Sequence, residues 1–251
     1  MTGIIRPRPW KQQPQIAVGI DWGNPITKDL AYLFAFGASR LDATLKLPPL
    51  VEGNPAFVAT DRGMALTLNG AGAPFTPNGA GIVLPPSHTI FGWVRPTDTA
   101  PQFILQAGQN LLEYPTYSLS IGNCSNSGVD NKFNYVLNSD SGAIPVSVQT
   151  QTSTIVVGEW YFVVGTHDIT TFNLYINGKL ESTGGGCGAL PDQTFSARLY
   201  IGGDDNASFT GSRYKVSGLL QNVGAFRRCL TYREVASLYK NFWQVFRPRV
   251  T

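Results

Sequence analysis

The sequence is poor in charged residues and in the residue patterns that mark common enzymes. Only 14% of its 251 residues are charged, against about 25% in typical soluble domains. It has two histidines, His88 and His167, and no Gly-x-Ser-x-Gly, P-loop or dinucleotide glycine motif. No Glu-x-Asp-x-Glu strand supplies the paired carboxylates of a glycosidase. We therefore expect that the chain is not an enzyme, with His167-Asp168 as the one weak acid–base candidate.

Further absences exclude other classes of protein. No apolar run approaches the about 20 residues of a membrane-spanning helix, and the N-terminal stretch contains no secretory signal. The three cysteines are widely spaced and lack metal-ligand spacing, which predicts free thiols in a reducing cytoplasm. No arginine-rich run with interleaved aromatic residues indicates nucleic-acid binding. We expect neither a membrane nor a nucleic acid as partner.

Turn-forming residues are abundant, with 27 glycines and 17 prolines. Between these turn signals, short runs of apolar, β-branched and aromatic residues recur along the chain. Almost no helical periodicity appears, so the pattern predicts a two-sheet sandwich or jelly roll. The strand candidates are 64–69, 88–95, 103–107, 117–122, 133–138, 144–151, 159–166, 172–177, 197–202 and 216–226.

Two local motifs are specific enough to predict their own geometry. The stretch FNLYINGKL, residues 172–180, alternates in the period of a strand and then presents Asn177-Gly178, which favours a type I′ hairpin turn. Near the C-terminus, Thr231 and Glu234 have the spacing of a capping box. This predicts one short helix over about 232–240, in which Tyr232, Val235, Leu238 and Tyr239 share a face.

Basic residues are concentrated at the two ends of the chain. Residues 1–20 contain three bases and no acid, and residues 206–251 contain eight bases and one acid. The first twenty residues show no periodicity, so we predict an extended basic arm at 1–20, a jelly-roll domain at 21–240 and an aromatic, basic tail at 241–251. The residues predicted to bind a neighbouring subunit are Arg6, Arg8, Trp10, Lys11, Trp243, Phe246, Arg247 and Arg249. The alternative is that the arm and tail pack on their own domain.

Four segments resemble the laminin-G-like, concanavalin A-like jelly-roll group, in the order in which that group shows them. They are HTIFGWVRPT at 88–97, VGEWYFVVGTHDITTFNLYINGKLESTG at 157–184, ARLYIGG at 197–203 and VSGLLQNVGAFRRCLTYREVASLY at 216–239. The resemblance implies an all-β, two-sheet antiparallel jelly-roll sandwich with one short C-terminal helix and extended terminal arms. WGNPITKDL at 22–30 and NFWQVFRP at 241–248 are similar to the ends of phage-encoded relatives.

The resemblance also bears on metal binding. Relatives commonly carry an acidic residue where this chain has Gln221-Asn222-Val223, so an inherited calcium site is not expected and no cofactor is predicted. Asp204 and Asp205 follow a predicted strand and could supply oxygen ligands to calcium. Turn formation by these two residues is the more ordinary explanation.

These observations predict a phage virion structural protein, such as a capsid decoration or tail-associated subunit, made in the host cytoplasm. Its partners would be other virion proteins, including further copies in an oligomer or lattice. The alternative is a glycan-binding lectin module for attachment to the host surface. Tyr114 and Tyr117 would then form the rim of the sugar site, whereas Trp93 and Trp160 lie in apolar strands and are expected in the core.

Overall fold

The computed structural model describes most of the predicted jelly roll and parts of the segments before and after it. The described residues are 13–14, 18–36, 43–44, 56–69, 84–108, 117–123, 128–137, 146–149, 154–185, 198–203 and 214–248. Within them, no helix is long and apolar enough to cross a membrane.

The described elements are strands with one α-helix, as the turn-rich composition predicts. The strands are β1 Val18–Ile20, β2 Leu30–Phe34, β3 Ala56–Thr60, β4 Gly63–Asn69, β5 Ser87–Pro96, β6 Gln102–Gly108, β7 Tyr117–Asn123, β8 Gly128–Leu137, β9 Val146–Gln149, β10 Tyr161–Asp168, β11 Thr171–Ile176, β12 Lys179–Gly185, β13 Arg198–Ile201, β14 Ser217–Phe226 and β15 Phe246–Pro248. The helix is α1, Tyr232–Lys240, and short 3-10 helices cover Pro25–Thr27 and Phe242–Val245.

Two antiparallel sheets form the sandwich. The larger has the order β12-β11-β10-β5-β14-β4-β3, with β2 also paired to β14, and the smaller has the order β13-β6-β7-β8-β9. Apolar side chains between the sheets form the first hydrophobic cluster, which includes Phe133, Tyr135 and Val163. The all-β sandwich with a short C-terminal helix is therefore confirmed.

A second hydrophobic cluster covers the outer face of the larger sheet. Because successive side chains of a strand point to opposite faces, Phe162 and Val164 of β10 contribute to this outer layer while Val163 faces the smaller sheet. Helix α1 and the 3-10 helix after it supply the other side of the cluster, including Val235 and Phe242. The larger sheet is thus buried on both faces.

The two predicted local motifs are confirmed. Asn177 and Gly178 have positive φ angles of 51° and 76° and join β11 to β12 as an antiparallel hairpin. Thr231 and Glu234 form the reciprocal capping box at the start of α1. Of the four residues predicted to share a helix face, Val235 and Leu238 are buried, whereas Tyr232 and Tyr239 at its flanks are 55% and 37% exposed.

The two ends of the described fold pair with each other. Strand β1 runs antiparallel to β15, with Val18 opposite Pro248 and Ile20 opposite Phe246. The Asn24 side chain caps the Pro25–Thr27 turn and also donates to the Gln244 carbonyl at 3.0 Å. Residues 18–20 of the predicted arm and residues 246–248 of the predicted tail therefore lie side by side.

Candidate functional site

Four elements bring a polar and aromatic cluster together on the outer face of the larger sheet. The β3–β4 turn contributes Arg62, β5 contributes Trp93, β14 contributes Gln221 and α1 contributes Tyr239. We call these four residues the Arg62 site. Each is placed by a local feature of its own element.

The Thr60–Gly63 turn positions Arg62. The Thr60 hydroxyl accepts the Arg62 backbone N–H at 3.2 Å and donates to the Gly63 carbonyl at 2.6 Å. Gly63 has a φ of +111°, a backbone conformation that is strained for any residue with a Cβ. The Gln13 side chain also occupies the position that a Cβ at residue 63 would take. The turn is therefore closed tightly enough to hold the arginine over the sheet.

A bulge in β14 positions Gln221. The pairing of β14 with β5 places Gln221 opposite Trp93 and then shifts register before Gly224, while Asn222 has a φ of 51°. Such bulges re-aim a side chain. The Gln221 amide nitrogen donates to the carbonyls of Met64 at 2.9 Å and Arg62 at 3.2 Å, which links the bulge to the β3–β4 turn.

Helix α1 carries Tyr239 and is fastened at its N-terminus by an ion pair. Arg228 donates to the two Glu234 carboxylate oxygens at 2.6 and 3.0 Å, and it also donates to the Lys28 and Ile26 carbonyls. Partial burial favours the protonated form of Glu234, but bonds from Arg228 and Thr231 outweigh it and hold its pKa below the ordinary value. The helix is thereby fixed over the sheet.

The β11–β12 hairpin supports the other end of the helix. A Cβ at Gly178 would lie 3.1 Å from the Tyr239 Cβ and 3.3 Å from the Ala236 Cα. The glycine required by the turn therefore also lets the helix approach closely. The Asn177 side chain accepts the Phe162 N–H at 2.9 Å, which ties this turn to β10.

Aromatic and cationic groups stack around Trp93. The Arg62 Cζ lies 3.5 Å from the Trp93 ring centroid, within the range of a cation–π interaction. The Tyr239 ring is stacked at 5.7 Å and 22° from Trp93, and Phe162 packs at 4.9 Å. Trp93 is buried, as predicted, and it lies beneath Arg62 and Tyr239, which are both partly exposed.

Several polar atoms of the site are buried without a protein partner. Within the described part of the chain, Arg62 Nε, Trp93 Nε1 and Gln221 Oε1 have no hydrogen-bond partner. Burial lowers the pKa of the Arg62 guanidinium, although Asp61 and Tyr239 favour its charged form. Arginine still stays protonated. The site therefore combines a partly buried cation, buried polar atoms without a protein partner and an exposed ring.

Tyr232 extends the exposed aromatic surface along α1. Tyr232 and Tyr239 are seven residues apart, so they lie on one side of the helix about 10 Å from each other along its axis. Tyr232 also packs near Tyr175 of β11, at 6.4 Å between ring centroids. Lys179, Arg233 and Lys240 are exposed on the same helix and hairpin. The surface around the two tyrosines is thus aromatic and basic.

His167 and Asp168 do not form a catalytic pair. His167 is buried between the sheets, where its Nδ1 hydrogen bonds the Pro86 carbonyl, whereas Asp168 is exposed on the opposite face of β10. The Asp168 carboxylate accepts bonds from the backbone and side chains of Thr170 and Thr171, which lower its pKa. The two groups are therefore engaged in separate structural roles.

The two histidines of the chain lie together inside the sandwich. His88 of β5 is paired with His167 of β10, and their ring centroids are 5.7 Å apart. His88 Nδ1 donates to the Pro85 carbonyl at 2.9 Å, and its Nε2 lies 3.0 Å from the Tyr135 hydroxyl. Burial lowers the pKa of His88 to about 4, so both rings are neutral around pH 7.

Most residues predicted from sequence to bind a partner, glycan or metal lie outside the described part of the chain. In the described part, no group of three or more His, Cys, Asp or Glu residues could hold a metal ion. The predicted residues outside it are Arg6, Arg8, Trp10, Lys11, Tyr114, Asp204, Asp205 and Arg249.

Of the predicted binding residues that the structure describes, three are buried and one is exposed. Tyr117 is 1% exposed and packs between the sheets, so it is not a rim residue: it faces inward at the start of β7. Trp243 and Phe246 belong to the second hydrophobic cluster at 5% and 6% exposure, and neither ring offers surface to a partner. Arg247 is exposed.

Sequence reasoning missed Arg62 and Gln221, and it placed Tyr239 on one face of α1 without a role in binding. A Thr-Asp-Arg-Gly turn is a common hairpin signal with no functional mark of its own. Only the pairing of β14 with β5 and β4 brings Gln221 next to Trp93 and the turn.

Comparison with known proteins agrees with this architecture. The sequence model described as the concanavalin A-like lectin/glucanases superfamily matches residues 67–236. The chain belongs to this superfamily. No curated protein matches it by sequence.

Solved structures of the superfamily fold resemble the chain at low identity. Domain 4 of AbnA, an extracellular arabinanase from Geobacillus stearothermophilus solved with arabinotriose, has a TM-score of 0.65 and 18% identity over 84% of this chain and 98% of that domain. The receptor binding domain of botulinum neurotoxin mosaic serotype C/D has a TM-score of 0.62 and 15% identity, covering 86% of this chain and 51% of its own.

Another toxin domain gives the same result. The binding domain of botulinum neurotoxin DC, solved in complex with SialylT, has a TM-score of 0.60 and 14% identity over 85% of this chain and 52% of that one. The chain therefore spans about half the length of these toxin domains. At these identities the likeness establishes the shared lectin-like jelly-roll fold.

Proposed function

We propose that the chain is a non-catalytic, lectin-type module that binds glycans at the Arg62 site and along Tyr232. The observation that carries this proposal is the Tyr239 ring, exposed to solvent while stacked on Trp93 beside Arg62. A ring held in this way offers a rigid apolar face to a sugar. Trp93 holds this ring in place from below, and Arg62 adds hydrogen-bond donors of the kind that orient sugar hydroxyls.

The fold comparisons support a function in glycan binding. Domains of similar fold have been solved with arabinotriose and with SialylT. The separation of His167 from Asp168 removes the one acid–base pair expected from sequence. We accordingly propose binding without hydrolysis.

A glycan array probed with the whole chain tests the proposal. We expect selective binding that Tyr239→Ala abolishes and Tyr232→Ala weakens, because each substitution removes an exposed ring face. Trp22→Ala is the matched control, since it removes an exposed aromatic ring that belongs to neither α1 nor the Arg62 site. Absence of selective binding, or equal loss in Trp22→Ala, would contradict the proposal.

A second candidate function is assembly into a virion through the chain ends. It is favoured by the β1–β15 pairing, which brings the start and end of the described fold to one place. From there, residues 1–12 with their three bases and residues 249–251 could contact an acidic neighbouring subunit together. The module would then be a subunit of a phage particle, made in the host cytoplasm.

Truncation tests the assembly proposal separately. Removing residues 1–12 retains Gln13 and β1, so we expect an unchanged melting temperature but no incorporation into particles. Unchanged incorporation would overturn the assembly proposal and leave the glycan proposal standing.

A further inference from the structure

Arg62 is a partly buried cation with no ion-pair partner among the described residues. Its guanidinium lies on the Trp93 ring, its Nε is buried, and within the described residues no carboxylate lies at ion-pair distance. Asp61 is adjacent in sequence but exposed. A charge held away from water and left unpaired is costly unless another group completes its environment.

The other described arginines that are partly buried have partners. Arg228 binds Glu234 through both carboxylate oxygens and also donates to two carbonyls. Arg95 donates through Nε to the Gly158 carbonyl. The fold thus satisfies these two arginines internally, and Arg62 differs from them because its Nε has no hydrogen-bond partner in the described part of the chain.

The geometry points to a carboxylate-bearing saccharide as the ligand, and we propose that the Arg62 site selects acidic glycans; this rests on the proposed glycan-binding function. The planar guanidinium matches a carboxylate with two parallel hydrogen bonds. The sugar ring would stack on Tyr239, while Trp93 supports that ring from below and Gln221 fixes the turn that carries Arg62. The exposed bases Lys179, Arg233 and Lys240 add favourable charge nearby.

Isothermal titration with paired probes tests the ligand class. The probes are trigalacturonic acid and its methyl ester, sialyllactose and lactose, and a sulfated galactose trimer. We expect each carboxylate form to bind about ten- to a hundred-fold more tightly than its neutral counterpart, the range expected for hydrogen bonds to a charged group. Raising the salt concentration should reduce this preference.

Variants assign the preference to Arg62. We expect Arg62→Gln to lower affinity for the carboxylate probes to that of the neutral ones, and Arg62→Lys, which keeps the charge without the planar fork, to fall between. Arg227→Gln is the matched control: it is an exposed arginine just after β14, about 20 Å along that strand from Gln221. Circular dichroism melting checks that each variant is folded.

The outcomes separate the two proposals. Equal binding of neutral and acidic probes, or an acidic preference that survives Arg62→Gln, overturns the acidic-glycan inference and leaves glycan binding in place. Preference for the sulfated trimer over both carboxylate probes also overturns it. Failure of every probe and of the glycan array overturns both proposals.

Discussion

Acidification should destabilise the fold through the buried histidine pair. His88 is 1% exposed, and its ring faces Tyr135, Tyr117 and His167 in the sandwich interior. Its Nε2 accepts from the Tyr135 hydroxyl while Nδ1 donates to Pro85, so a second proton would break the first of these bonds. Burial is the main cause of its low pKa, and the adjacent His167 lowers it further.

The size of the effect follows from the two pKa values of His88. The group titrates near 6.5 when unfolded and at about 4 when folded. Between these values the unfolded chain binds a proton that the folded chain does not, so stability is fully present above pH 6.5 and is lost as the pH falls towards 4. The difference of about 2.5 in pKa corresponds to about 3 kcal/mol of unfolding free energy.

Urea unfolding at pH 7, 6, 5 and 4.5 measures this loss. We expect the free energy of unfolding of the wild-type chain to fall over this range more steeply than that of His88→Asn, which keeps a donor for Pro85 but cannot titrate. Carboxylates such as Asp168 and Glu234 titrate alike in both proteins and cancel in the comparison. The pKa of His167 is also lowered, so some slope should remain in the variant.

Parallel curves for the two proteins would refute the reasoning. They would mean that the folded state accommodates the His88 proton without cost, and therefore that the ring is solvated or finds a counter-charge. A curve that is steeper in His88→Asn would contradict it equally.

Three further substitutions and one control test the packing and the helix cap by chemical denaturation. Trp243→Ala should lower the free energy of unfolding by about 3–5 kcal/mol, since it empties a large buried site; a loss under 1 kcal/mol would mean that the tail is dispensable. Gly165→Ala places a Cβ 2.6 Å from the Tyr135 ring and should cost about 1–3 kcal/mol. Gly185→Ala is its control, because among the described residues that Cβ meets nothing closer than 3.9 Å. Thr231→Ala removes the helix cap and should cost about 1 kcal/mol, read from the same curves.

Features that depend on local chemistry were predictable from the sequence. The Asn177-Gly178 turn and the Thr231 capping box form between residues a few positions apart, and both are present as expected. The alternation of apolar residues identified the strands because a sheet buried on a face imposes a period of two. The all-β sandwich followed from these elements and from the resemblance.

The direction in which a side chain faces was harder to predict. Tyr117 sits beside a loop in the sequence but begins β7 facing inward, where burial removes it from any rim. Trp243 and Phe246 were predicted to bind a partner because the tail is rich in aromatic and basic residues, with packing on their own domain as the alternative. They are buried because α1 and the tail pack on the apolar outer face of the larger sheet, where both side chains join the second hydrophobic cluster.

The candidate site itself was decided only by the tertiary structure. Arg62 and Trp93 are distant in sequence, and Gln221 joins them through a bulge that depends on the register of β14 against β5. Register is set by the burial of both sheet faces together, which is a property of the assembled layers rather than of a short window. For that reason composition and periodicity predicted the scaffold, whereas long-range strand pairing determined which polar groups meet upon it.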